Sequence, residues 1–261
     1  MRVGVNGAAG QMGRAVCAAV DSDPDLTLVA AVDRHVEGPA PCDGVALSTE
    51  LHAFADARCD VVVDFTVADA ARLSLPWLGM HGIHAVVGTT GFTAEDLALF
   101  ESTFGPAGRE GEGPNCLIAP NFAISAVLMM RFAAMAAPWF DTAEVIELHH
   151  TRKVDAPSGT AVETIERMAA ARDTDFDADP TEVEVYPGSR GGLGPRGIRA
   201  HSVRMQGMVA HQEVILGAVG QTITIRQDSY DRSSFMPGVV LACKKIADHP
   251  GLTRSLDPFL D

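Results

Sequence analysis

The chain opens on a strand that runs straight into a glycine turn. In Val3-Gly4-Val5-Asn6-Gly7-Ala8-Ala9-Gly10-Gln11-Met12-Gly13 the apolar run stops at Gly7, and a helical pattern continues to about Val20. A phosphate needs backbone N–H groups with no side chain in the way, and a helix start supplies them with a favourable dipole. The spacing is GxxGxxG, with Ala9 where the dinucleotide fingerprint has its middle glycine. A tight turn alone would also account for the glycines. Their position, after the first strand and before the first helix, favours a bound phosphate.

Further apolar runs at residues 26–32, 60–65, 84–88 and 116–119 alternate with helical patterns. Continuous rather than alternating apolar runs fit strands buried on both faces, so the first 121 residues are expected to form an α/β, Rossmann-type doubly wound parallel sheet. Residues 37–44 and 104–115 carry the Gly and Pro load of surface loops. After Asn121 the pattern changes. An apolar helix at residues 123–140, expected to be buried between layers, leads to a strand at 142–150 and an amphipathic helix at 159–173. Strands are then expected around Val185 and at 198–204, 209–219 and 221–227, and a final helix at 235–249. In the last of these strands Ile223 and Ile225 should face inward, with Thr222, Thr224 and Arg226 in water. Strands in series after a βαβ section indicate a second, α+β domain with a mixed or antiparallel sheet.

Asp33 and Arg34 end the second strand, twenty residues beyond Gly13. A carboxylate there binds the ribose hydroxyls of NAD, whereas an arginine accepts the 2′-phosphate of NADP, so both NADH and NADPH stay open as cofactors. Gly88, Thr89 and Thr90 follow the fourth strand, and Ala119, Pro120, Asn121 and Phe122 the fifth. Strand ends of this kind line ligands in open α/β sheets, although Thr90 and Asn121 would serve equally as helix caps.

The stretch Glu147-Leu148-His149-His150-Thr151-Arg152-Lys153-Val154-Asp155-Ala156-Pro157-Ser158-Gly159-Thr160 holds one of only three lysines. In a strand, His149 and His150 point to opposite faces and cannot chelate one metal; no metal site is expected. His149 and Lys153 can cooperate only if the chain bends after the histidines, and Pro157 and Gly159 favour a bend. Ser158 or Thr160 can cap the next helix, and Thr160 to Glu163 has capping-box spacing. N–H groups at Gly159 and Thr160 would then suit a carboxylate. An imidazole, an ammonium and an anion-binding helix start suit the reduction of an acidic small molecule, with a proton supplied by a side chain.

This stretch resembles the signature of the 4-hydroxy-tetrahydrodipicolinate reductase (dihydrodipicolinate reductase) family of bacterial lysine and diaminopimelate biosynthesis. The segments beginning at Val3, Val62, His84, Ile118, Val209 and Thr222 are similar to the same family, in order, and nearest its actinobacterial branch. The resemblance implies a dinucleotide-binding domain from residues 1–121 and 233–261, and a substrate-binding and tetramerising domain from 122–232. It implies His149 as proton donor with Lys153 as its partner, and a dicarboxylate substrate held by His150, Gly159 and Thr160. The nicotinamide cofactor would be lined by Gly7, Ala8, Ala9, Gly10, Gln11, Met12, Asp33, Arg34, Gly88, Thr89, Thr90, Ala119, Pro120, Asn121 and Phe122. Arg152 replaces a histidine found in some members, and residues 34–49 and 187–197 match poorly.

Composition excludes several alternatives. A net charge of −14 disfavours nucleic acid as a partner, and no basic helix supports a DNA-binding nucleotide sensor. Five scattered cysteines form no CxxC, which with the absence of an apolar leader core or a membrane-length apolar run points to the cytoplasm. A semialdehyde dehydrogenase needs a nucleophilic cysteine, and the only one beyond Cys116 is Cys243 in an apolar helix. No G-x-S-x-G elbow surrounds Ser158, which argues against a hydrolase.

Overall fold

In a computed structural model, residues 1–35, 40, 42, 44–104 and 113–261 are described, and the chain divides into two compact units, Met1–Ile124 with Arg232–Asp261, and Ser125–Asp231. The expected loops at 37–44 and 104–115 lie largely outside the described residues.

The first unit runs β1 (Arg2–Asn6), α1 (Gln11–Asp21), β2 (Thr27–Val32), β3 (Leu47–Ser48), α2 (His52–Asp56), β4 (Val61–Asp64), α3 (Ala68–Met80), β5 (His84–Val87), α4 (Ala94–Phe104) and β6 (Cys116–Ile118). The second runs α5 (Ile124–Ala136), β7 (Thr142–His149), α6 (Gly159–Ala170), β8 (Gly192–Leu193), β9 (Arg199–Arg204), β10 (Ala210–Ala218) and β11 (Gln221–Ser229). The chain then returns to the first unit with α7 (Met236–Lys245) and β12 (Leu252–Thr253).

All neighbours in the first sheet are parallel, in the order β12-β6-β5-β4-β1-β2-β3. The direction of winding reverses between β1 and β4, and such reversals open a crevice at the strands' carboxyl ends. Val61, Val62, Val63, Ala85, Val86 and Val87 are fully buried, as strands covered on both faces require. Helix α1 buries Gly13, Val16, Cys17 and Val20, the i, i+3, i+4, i+7 stripe of a helix lying on a sheet. Gly7 turns the chain at φ +81°, in the left-handed region. A Cβ on Gly13 would lie 2.0 Å from the Gly7 carbonyl oxygen and 2.7 Å from Ala8 Cα, so this glycine lets the helix start sit against the turn. Because backbone must yield, Gly13→Ala is expected to cost about 3 kcal/mol of stability. Urea denaturation would show this as a lower midpoint at unchanged slope, and an unmoved midpoint would contradict the packing described.

Helix α7 reaches the first sheet by a similar close approach, where a Cβ on Gly238 would meet the Phe122 carbonyl oxygen at 2.0 Å. Lys244 Nζ pairs with Asp23 and Asp25, each at 2.8 Å, on the turn that follows α1.

The second sheet is mixed, in the order β11-β10-β7-β9-β8, with β7 and β9 parallel and the other pairs antiparallel. The parallel pair requires a crossover, and α6 lies within it. Ala143, Val145 and Glu147 of β7 face α6, which buries Ala161, Thr164, Ile165 and Met168.

Four expectations need correction. Helix α5, expected to be buried, covers only one face and leaves Phe132 48% and Met135 67% exposed. No strand forms around Val185: the Glu184 carboxylate accepts N–H bonds from Gly188 (2.7 Å) and Arg190 (3.1 Å), which hold a turn instead. Ile223 and Ile225 lie on the face of their register partners, the buried Leu216 and Val214, as expected, but on the edge strand β11 they are 38% exposed and half-buried rather than covered. The cap of α4 is Thr93, not Thr90: Asp96 N–H donates to Thr93 Oγ1 at 3.2 Å, and Thr93 N–H returns a bond to Asp96 Oδ2 at 2.7 Å. Asn121 accepts the N–H of Ala123 at 2.8 Å, a local turn just ahead of α5.

Candidate active site

The first unit carries a cleft of about 440 Å³ at the point where its strand order reverses. Asn6 and Gly7 line it from the end of β1, Phe65 and Thr66 from the end of β4, and Asp33 and Arg34 from the end of β2. Ala9, Gly10 and Arg14 add the glycine turn and the first turn of α1. Gly10 precedes α1 without a side-chain cap, so the N–H groups of the first helical turn are left to an outside acceptor. The Asp33 carboxylate is oriented by two backbone N–H groups, Ala9 at 3.0 Å and His35 at 2.9 Å. A carboxylate has about four acceptor sites, so Asp33 retains capacity for hydroxyl donors. Two guanidinium groups, Arg14 and Arg34, supply positive charge to the same cleft. These donors, cations and one carboxylate fit a dinucleotide.

Not every expected cofactor residue reaches this cleft. Ala8 is buried and its N–H is spent on the Val32 carbonyl (3.1 Å). Gln11 and Met12 contribute the helix start but do not line the space. Gly88, Thr89, Thr90, Ala119, Pro120, Asn121 and Phe122 also stand outside it. Gly88 has a packing reason to be glycine: a Cβ there would lie 2.0 Å from the Phe65 ring. Thr89 is buried and donates to Asp64 Oδ1 at 2.9 Å.

Asp64 was not anticipated. Fully buried at the end of β4, it accepts from Asn6 Nδ2 (2.8 Å), Ser74 Oγ (2.9 Å), Thr89 Oγ1 and both the N–H and the hydroxyl of Thr66. It thereby fastens the ends of β1 and β4 that border the cleft. An acidic residue closing an otherwise apolar buried strand is the sequence signal that could have found it.

In the second unit the cluster sits at the end of β7. Glu147 and His149 share the face turned toward α6, and His149 Nδ1 lies 2.5 Å from Glu147 Oε2. Arg204, the register partner of His149 on β9, donates to both Glu147 oxygens at 2.8 and 2.7 Å. The chain then turns over His150 to Lys153, whose N–H donates to the His150 carbonyl at 3.2 Å. Lys153 Nζ rests on both oxygens of Asp155 at 2.8 Å, so an incoming acid group must compete with that pair. Ser158 caps α6 by accepting from Ala161 N–H at 3.2 Å, whereas Glu163 pairs with Arg167 rather than closing a capping box with Thr160. Gly159 and Thr160 open the helix, and space stands free where a Gly159 side chain would be. His150 Nδ1 is buried with no hydrogen-bond partner among the described residues, an unmet polar atom of the kind a ligand satisfies.

Burial pushes the His149 imidazole below the ordinary histidine value, and Lys153 and Arg204 push the same way against the pull of Glu147. For Glu147, burial would raise the carboxyl, but Arg204, Ser202 and His149 together hold it below the usual carboxylate range. The cluster is therefore an ionised, fully paired carboxylate behind a neutral imidazole.

A glycine turn between strand and helix on a parallel sheet, and a carboxylate-paired imidazole on a separate mixed one, are features of the two-domain Rossmann oxidoreductases. Within that class the chain belongs to the dihydrodipicolinate reductase family. Family models described as the N-terminus and C-terminus of dihydrodipicolinate reductase match residues 1–122 and 125–260. A 4-hydroxy-tetrahydrodipicolinate reductase of Corynebacterium aurimucosum is 50% identical over 261 residues, covering 100% of this chain and 98% of that protein. One from Nocardia farcinica is 50% identical over 266 residues, with 100% and 99% covered. A dihydrodipicolinate reductase of Paenisporosarcina sp. TG-14, solved with dipicolinate bound, superposes with a TM-score of 0.87 at 35% identity, covering 99% of this chain and 98% of that one.

Proposed function

We propose that the chain reduces 4-hydroxy-2,3,4,5-tetrahydrodipicolinate to tetrahydrodipicolinate with NADH or NADPH, in the diaminopimelate and lysine pathway. The observation that carries this reading is the cluster ending β7, an imidazole, an ammonium and a helix start, within a chain matched along its length by that family.

The glycine turn and the start of α1 would hold the pyrophosphate, Asp33 the adenosine ribose, and Arg34 with Arg14 a 2′-phosphate where one is present. Bound nicotinamide supplies the hydride. The overall change adds one hydride and one proton to the substrate and releases water. Gly159, Thr160 and His150 would bind its carboxylates, and Lys153 would exchange Asp155 for the substrate's negative charge. His149 would deliver the proton and must be protonated to do so. A dicarboxylate beside it favours the imidazolium and raises its pKa in the complex. Accordingly kcat/KM is lost as pH rises through the depressed pKa of the free enzyme, while the loss of kcat sets in at higher pH.

Asp33→Ala is expected to weaken NADH binding about tenfold or more, the worth of a charged hydrogen bond, and to leave NADPH binding less affected. Isothermal titration with both nucleotides tests this, and equal losses would contradict the assigned role. Steady-state nucleotide oxidation with freshly generated substrate tests the activity itself, with inertness toward both nucleotides counting against it. An acylating dehydrogenase is disfavoured because burial pushes the Cys243 thiol up to about 12 and the Cys116 thiol higher still.

We further infer a homotetramer built through the mixed sheet, in the cytoplasm. Ile146, Leu148 and Ile215, on the sheet face turned from α6, are only half-buried within the chain, which supports a sheet-to-sheet contact. Sedimentation equilibrium reads the assembly directly. No described helix is long and apolar enough to cross a membrane.

A further inference from the structure

Every second residue of β7 faces inward, and the series Ala143, Val145, Glu147 places a carboxylate where an apolar side chain would be expected. Glu147 is fully buried, yet its lone pairs are well used. It meets His149 Nδ1 at 2.5 Å, both terminal nitrogens of Arg204, and the N–H of Ser158 at 3.2 Å. Ser158 is the cap of α6, and Arg204 also donates to the Asp155 carbonyl at 2.7 Å. One carboxylate therefore ties together the imidazole, the helix start and the turn that carries Lys153.

We propose that Glu147 is the positioning residue of this site, holding His149 as the Nδ1–H form so that Nε2 is the nitrogen that exchanges the substrate proton. An ionised carboxylate only accepts hydrogen bonds, so the nitrogen facing it must carry the hydrogen. This assignment rests on the proposed reduction for its kinetic consequence but not for its geometry. The charged groups acting on His149 are Glu147 from its own strand, Arg204 from β9 and Lys153 from the following turn. The register neighbours on β10, Ala210 opposite His149 and Gln212 opposite Glu147, are uncharged, as are Ser158 and Thr164 of α6.

Glu147→Gln keeps the volume and separates orientation from filling. The Oε1 position faces two obligatory donors, Arg204 Nη2 and the Ser158 N–H, so the amide oxygen takes that place and the NH2 group turns toward Nδ1. The imidazole then switches to its Nε2–H form. NMR of the protein labelled with ¹⁵N-histidine, with His149→Gln used to assign the signal, reads the tautomer without substrate or nucleotide. The wild type should show Nδ1–H and Glu147→Gln the other form. In the variant, kcat should fall on the order of 10²-fold with the nucleotide KM unchanged. The basic limb of its pH profile should move to lower pH, because the anion favouring the imidazolium is gone. A filler role would lower the melting temperature and leave both tautomer and pH limb in place, which overturns the proposal. So does an Nε2–H signal in the wild type, a result available even if the variant fails to fold. An inactive wild type with the Nδ1–H signal would instead refute the reduction and leave the positioning geometry standing.

Discussion

Replacing His149 by alanine is expected to lower kcat by about 10²–10⁴-fold, the contribution of a positioned general acid, with little change in nucleotide KM. The variant should still fold. His149 ends β7, and its backbone carbonyl accepts the Met205 N–H at 3.1 Å whatever side chain it carries. Glu147 keeps both bonds from Arg204, so the buried carboxylate is not orphaned, and the stability cost stays near about 1 kcal/mol. What disappears is the group that titrates, so the residual activity should lose the basic limb seen in the wild type. Steady-state profiles of the two proteins decide the matter. Activity within about threefold of wild type, far below a general acid's worth, would remove His149 from its role.

Lys153→Ala is expected to cost about 10²–10³-fold in kcat, the range for a donor aimed at developing charge, and also to raise KM for the dicarboxylate. The ammonium is already engaged with both Asp155 oxygens, which shows that its position suits a carboxylate. Lys153 is also one of the two cations that push the His149 pKa down. Its removal should therefore move the basic limb of the pH profile to higher pH, opposite in direction to Glu147→Gln. Opposite shifts from two neighbouring substitutions are difficult to obtain from general loosening of the fold. A limb that moves the same way in both would contradict the electrostatic account. Lys153→Arg keeps the charge but spreads it over a planar fork, so it should restore the limb more fully than the rate.

What was legible in the sequence was local. The glycine turn, Asp33 and five of the seven strands of the first sheet follow from adjacent residues whose spacing dictates their conformation, and β7, α6 and α7 follow from periodicity; β3 and β12, two residues each, were not expected. The groups that act through distant pairing were not legible. Arg204 meets Glu147 only because β7 and β9 pair in parallel with His149 opposite Arg204. Glu147 itself was hidden by alternation, which assigns its position to the core without saying that His149, Arg204 and Ser158 would converge on a carboxylate there. Asp64 gathers partners from three segments well separated in sequence. The strand expected around Val185 does not form, and neither Val183 nor Val185 is covered. Those side chains are 77% and 82% exposed, and Glu184 binds its neighbours' N–H groups instead of a partner strand's. The cap of α6 was open between Ser158 and Thr160. It settles on Ser158, whose own N–H is drawn to Glu147.

Hydride transfer is the act on which the account stands, and labelled nucleotide follows it most directly. NADH or NADPH carrying deuterium at its transferable position, mixed with the protein and freshly generated 4-hydroxy-tetrahydrodipicolinate, should give tetrahydrodipicolinate bearing a deuterium for each nucleotide consumed. The same mixture with His149→Ala should bind both ligands and transfer little. If the wild type consumes neither nucleotide while dipicolinate binds it, or if the label never reaches the product, the chain is not the reductase described.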